Sequence, residues 1–277
     1  MKSLFLSVSA FALSIAIAIS LSFQSAPQEF QGQAYYFSKS KMELGSWGAR
    51  MSEAQKKQVY QRLKNRLEKT YVLSFNKEAS TFQEEDQVDA MAGATDTWGA
   101  NFTRGDQYKN VKDNLLVQSQ EFYGKKFLVK DQLQEIDWQM GSESKQIGEY
   151  MCFKATASIP TSELTWYDFS WSDLRARNTE NESGEPEIPM TEVEAWYTLQ
   201  IPVGHGPGEY WGLPGLILEV STETTTMLCS RIVLNPKETI TIEANTKGKE
   251  ITKADYQTTI RSKMQEMMDN RGRRRSN

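Results

Sequence analysis

The alternation of apolar and polar positions divides the chain into short runs of two periods. Residues 31–39 alternate every second position and predict a first strand. From Ser52 to Lys69 the period turns helical. Val59, Leu63 and Leu67 recur every fourth position with Tyr60 beside them, giving one apolar stripe on a charged helix. Ser52 reads as its cap, and Gln55, three residues on, completes a capping box. Strand patterns follow over residues 70–76, 79–85, 112–122, 125–129, 135–140 and 148–158, with a hairpin turn at Tyr123-Gly124-Lys125. Residues 195–199, 216–220, 224–234 and 237–244 continue the series, the last two as a hairpin turned at Asn235-Pro236. A second helix is expected over 252–269, capped by Thr252, with Tyr256, Ile260, Met264, Met267 and Met268 on its apolar face. Many short strands between turns predict an α+β, β-rich fold. It is expected to be a curled antiparallel sheet, half-barrel or sandwich-like, with two packed amphipathic helices.

The stretch from Gly204 to Gly215 interrupts this pattern and joins two of the strands. It holds five of the 17 glycines, with prolines at 207 and 214. Leu213-Pro214-Gly215-Leu216 has the composition of a type II turn, proline presetting φ and glycine accepting the positive φ that follows. The apolar run Leu216-Ile217-Leu218 then reads as a strand buried on both faces. Gly212, Leu213, Pro214 and Gly215 are therefore assigned to a structural turn. Residues 160–192 form a loop insertion that starts with Trp166, Tyr167, Phe169 and Trp171, too many aromatics to leave in water. These four either cover the sheet or form a contact surface, and with His205, Tyr210 and Trp211 they are the candidate interaction residues.

Lys2 followed by the apolar stretch Leu4 to Leu21 reads as a secretory signal peptide over 1–23, cut between Ser20 and Gln24. No cysteine follows it, which excludes an acylated lipoprotein. No second apolar stretch is long enough to span a membrane, so the mature chain has no transmembrane span. A single domain over 24–269 and a basic disordered tail over 270–277 complete the organisation. With 7 Trp, 11 Tyr and 12 Phe the chain has material for a large core. Setting aside the five positive charges of Lys2, Arg271, Arg273, Arg274 and Arg275 takes the formal charge from −4 to −9. An acidic body argues against nucleic acid as a partner. Cys152 and Cys229 are the only cysteines, and in an exported protein such a pair is either a disulfide or two buried thiols.

Gly212-Leu213-Pro214-Gly215-Leu216-Ile217 spells GLPGLI, and the chain resembles the GLPGLI family of exported proteins of Bacteroidetes-type bacteria. Ile147 to Ala155, Ala195-Trp196-Tyr197-Thr198, Ile201-Pro202-Val203 and Arg231 to Glu238 fit the same pattern. The resemblance covers about residues 32–268. It implies export and no established activity, and it carries over no catalytic residues.

Most catalytic chemistry finds no support. The only histidine is His205, so neither a triad nor a zinc site is supplied. No phosphate loop is present. The acidic group Glu84-Glu85-Asp86 with Asp89 lacks calcium-loop spacing. No catalytic, cofactor-binding or metal residue is assigned. The leading expectation is an exported non-enzymatic binding or accessory protein, in the periplasm or at the outer membrane, working with an outer-membrane transport or assembly complex. The alternative is a carrier of a lipid or other apolar ligand in the curled sheet. A carboxylate-based hydrolase comes third.

Overall fold

Ser52 starts helix α1 (Glu53–Leu67) as its composition predicts. Its hydroxyl accepts from the Gln55 backbone N–H at 3.3 Å, and the Gln55 side chain accepts from the Ser52 N–H at 2.8 Å. This reciprocal pair satisfies two of the N–H groups that a helix start leaves open. The stripe of Val59, Tyr60, Leu63 and Leu67 is only half-buried, and no residue of α1 is fully buried. The helix runs directly into the strand that begins at Glu68 and touches the sheet near that junction.

The computed structural model describes residues 29–42, 44, 48–85, 104–170, 174 and 188–275. The expected leader, Asp86, Asp89, Trp171 and most of the polar run after it lie outside the described residues. All the described strands lie in one compact unit, Gln31–Asn277.

Twelve strands form one sheet among the described residues. A first meander contains β1 (Gln31–Ser40), β2 (Glu68–Asn76), β3 (Ala79–Glu84), β4 (Gln107–Asn110), β5 (Leu115–Phe122) and β6 (Lys125–Asp131). A second contains β7 (Gln139–Ile147), β8 (Tyr150–Pro160), β9 (Met190–Thr198), β10 (Leu216–Ser221) and β11 (Thr225–Leu234). The four-residue helix α2 (Thr161–Leu164) follows β8. The meanders join where β1 pairs antiparallel with β11, Gly32 opposite Leu234. The short strand β12 (Lys249–Ile251) adds in parallel to β6, so β12 and β7 are the two ends of an open sheet.

Five strand spacings separate β10 from β4, roughly 24 Å in a flat sheet. Yet the loop that enters β10 is bonded by a side chain of β4. The loop and the inner face of β4 therefore meet over the same side of the sheet, in keeping with the expected curled architecture. Inside the curl, one core gathers Ala155, Ile159, Val193, Tyr197 and Ile217 under Tyr210 and Leu213. A second core lies where helix α3 (Lys253–Arg275) sets Tyr256, Ile260 and Met264 against Phe127 and Val129. Leu216 is fully buried, so Leu216→Ala is expected to cost about 2–5 kcal/mol in a urea unfolding curve.

Several expectations need correction. Residues 237–244 are not a strand; β1 occupies the place beside β11 that their pattern would have filled. The run expected over 112–122 is β5 alone, and β4 before it has no apolar pattern to announce it. Strand β7 begins at Gln139 rather than at 135. Helix α3 continues past Asp269 to Arg275, into the stretch expected to be a tail. Tyr123 and Gly124 do turn the β5–β6 hairpin, at φ of +47° and +76°, the pairing of a type I′ turn.

Candidate functional site

The glycine-rich loop enters the curl because its glycines leave room for other groups. Gly208 has φ of +55°, and a β-carbon there would collide with the Arg104 guanidinium. Gly212 carries the turn at φ of +92°. Gly215 is not in the left-handed region, so the expected type II turn at 214–215 does not form. Its glycine is required by proximity instead, since a β-carbon would fall within the shell of the Thr198 carbonyl oxygen.

Two buried cations hold this loop from beneath. The Lys109 ammonium donates to the carbonyls of Gly206, Gly208 and Tyr210 at 2.8, 2.6 and 3.1 Å. Its three protons match three acceptors, while burial lowers its pKa to about 7. Arg104 is ion-paired with Glu209 and donates to the Tyr167 hydroxyl at 2.9 Å. Burial opposes the charge on Arg104, but the Glu209 carboxylate holds its pKa above the usual value. Gln107 donates to Gln118 at 2.9 Å and to Glu209 at 3.3 Å.

His205 is fully buried, not exposed in the loop or aimed at a ligand. Its Nε2 lies 3.0 Å from the Asn76 carbonyl, so the neutral ring donates there, and Nδ1 has no partner. Burial first, and the Lys109 charge second, lower its pKa to about 3. The unfolded chain therefore takes up a proton at a higher pH than the folded one. The His205 contribution to stability is expected to be level above about pH 6.5 and to fall by a few kcal/mol toward pH 3, a loss absent from His205→Gln in the same melts, while Lys109 makes stability rise with pH above about 7 in both proteins.

The other candidates also divide by burial. Trp166 and Phe169 are buried against Tyr256 of α3, with ring centroids 5.9 and 6.0 Å away, and Tyr167 is half-buried beneath Arg104. Their rings pack in the core, and Trp166 also lines the cleft described below. Tyr210 is buried in the other core. Cys152 and Cys229 are free buried thiols on β8 and β11, with β9 and β10 between those strands, and burial raises their pKa to about 11 and about 12.

Trp211 and Trp166 both line a cleft of about 710 Å³ between the glycine loop, the segment after β6 and the start of α3. The walls are tied together. Trp211 Nε1 donates to the Gln134 carbonyl at 2.7 Å, and Trp138 Nε1 donates to the Trp211 carbonyl at 2.8 Å. On the opposite wall, the Lys253 N–H donates to Asp131 at 3.0 Å and its ammonium to Glu163 at 3.1 Å. Leu133 N–H donates to Asn114 at 3.2 Å. Among the described residues, no three Cys, His, Asp or Glu side chains converge as a metal site. None of the described helices is long and apolar enough to cross a membrane.

Residues 138–219 match the family model described as "Protein of unknown function (Porph_ging)". That segment contains β7 to β9 and the whole glycine loop with Glu209 and Trp211. No curated protein matches the chain. Solved structures similar to it include two crystal forms of one protein. "Structure of PNGF-II in C2 space group" has a TM-score of 0.46 at 13% identity, over 85% of this chain and 33% of that one. "Structure of PNGF-II in P21 space group" has a TM-score of 0.45 at 13% identity, over 83% and 33%. The chain spans about a third of the length of both.

Sequence reading misses Arg104 and Lys109 as well as most of the cleft. One signal was present. Gln107 and Lys109 alternate in a strand that has no apolar partner for its inner face. A polar inner face is what a buried network requires.

Proposed function

We propose that the protein is an exported, non-enzymatic binding protein, accessory to an outer-membrane transport or assembly complex, and that it takes its ligand in the Trp211 cleft. The observation that carries this reading is the internal bracing of the cleft. Trp138, Trp211 and Gln134 form one continuous chain of bonds, and Lys253 joins Asp131 to Glu163. A site held in shape by its own bonds loses little entropy when a ligand enters. The charged, apolar start of the sequence and the GLPGLI resemblance support export. The two carboxylates nearest each other through Lys253 are both occupied by it, which favours a positioning role over acid–base work. The apolar-carrier reading has less support, because Lys109, Arg104, Glu209 and the loop fill the curl with polar groups.

Gentle affinity capture of the tagged mature chain from its own membranes tests this, with protein, lipid and small-molecule mass spectrometry on the eluate. A non-lipid ligand present at near one-to-one, and lost from Trp211→Ala, is the expected result. Identical eluates from both proteins would remove the cleft as the binding face.

A further inference from the structure

We infer that the Trp211 cleft takes a neutral, hydroxyl-rich ligand, an oligosaccharide. The inference rests on the cleft being the binding face and adds the class of ligand. The charged side chains of the walls are three carboxylates, Asp131, Glu135 and Glu163, against the Lys253 ammonium, and their excess repels an anion. Asp131 accepts from the Lys253 N–H and Glu163 pairs with its ammonium, so a cation would find only the exposed Glu135, and one exposed carboxylate holds a cation weakly. An apolar ligand would strand the polar side chains that line the walls, each at a desolvation cost.

A neutral polar ligand remains, either peptide or saccharide. One way an extended peptide binds is by adding to an open strand edge. Strand β6, which ends at the cleft, has β5 on one side and β12 on the other, and the open outer edge of β12 is only three residues long, too short to seat an extended peptide. Sugar hydroxyls each donate and accept, and they need both kinds of partner at close spacing. The walls supply donors and acceptors together in Gln132, Gln134 and Gln257, with acceptors in Glu135 and Glu163. Trp211 adds an indole fixed in place by its bond to Gln134, and a fixed ring can cover the apolar C–H face of a sugar. The volume of about 710 Å³ lies within the usual range for small-ligand sites, about 300–1,000 Å³.

The test is an array of neutral and acidic oligosaccharides probed with the full mature chain, followed by calorimetry on cellotetraose, chitotetraose, mannotetraose and a galacturonate oligomer. At least one neutral glycan is expected to bind saturably, and to bind at least tenfold more weakly to Trp211→Ala and to Glu135→Ala. Glu135 is exposed, so its variant keeps the fold if Trp211→Ala does not. Three outcomes overturn the inference: no neutral glycan binds, the acidic oligomer binds more tightly, or binding survives both variants. If no glycan binds while the captured ligand is still lost from Trp211→Ala, the binding reading stands and only the saccharide class fails. If the captured material is unchanged as well, both fail.

Discussion

Glu209→Ala is expected to destabilise the protein by about 3–5 kcal/mol, the cost of leaving one partner of a buried ion pair without the other. The Arg104 and Glu209 side chains are 9% and 7% exposed, so water cannot take over for the lost carboxylate. Two further nitrogens of Arg104 already have no partner, which leaves the guanidinium little else to turn to. The double variant Arg104→Met/Glu209→Leu is expected to recover much of the loss, because a buried pair replaced by apolar groups of similar size is often near neutral. Urea unfolding of both singles and the double gives the coupling energy. Additive losses would mean that the two side chains do not depend on each other.

Gly215→Ala is expected to cost more than Gly212→Ala, by about 2 kcal/mol or more in the same assay. At Gly215 the obstacle is the Thr198 carbonyl, which is backbone within the β9–β10 pair and cannot swing aside. Relief requires the strands to part, beside the buried Leu216. At Gly212 the nearest atom is Trp138 Nε1 at 3.9 Å, so alanine meets only the penalty of a left-handed φ, about 1–2 kcal/mol. A type II turn at 214–215 would have produced a penalty of that same kind at Gly215. Equal losses at both positions would therefore argue for strain and against crowding.

What could be read from the sequence was local. The capping box of α1 involves residues three apart, and the β5–β6 turn depends on two adjacent residues. The β9–β10 pairing was legible because a turn-rich loop lies between two apolar runs. The polar network was not, since Lys109 bonds to carbonyls 97, 99 and 101 positions away. A charged residue carries no mark of the loop that will cover it. The aromatic group at 166–169 could be read as cover or as a contact surface, and the choice between them was hidden for the same reason. Its cover is Tyr256 of α3, and nothing near Trp166 in the sequence reveals that a helix about 90 residues later will bury it. The cleft likewise combines the segment after β6, α2, the glycine loop and the first turn of α3, which no single window of sequence contains.

The joint between the two meanders sets the order in which the chain can fold. Gln31 N–H bonds to the Asn235 side chain across 204 positions, while the strands inside each meander pair with close neighbours in sequence. Closing so long a loop costs entropy that only the finished pairing repays. Strand β1 is made first and can pair early with β2, but its second edge waits until nearly all the chain has emerged. Until then a central strand of the finished protein behaves as an open edge, with unmet N–H and C=O groups along it. Refolding is therefore expected to be slow and prone to association at high protein concentration. A chain that stops before β11 would keep that edge exposed permanently.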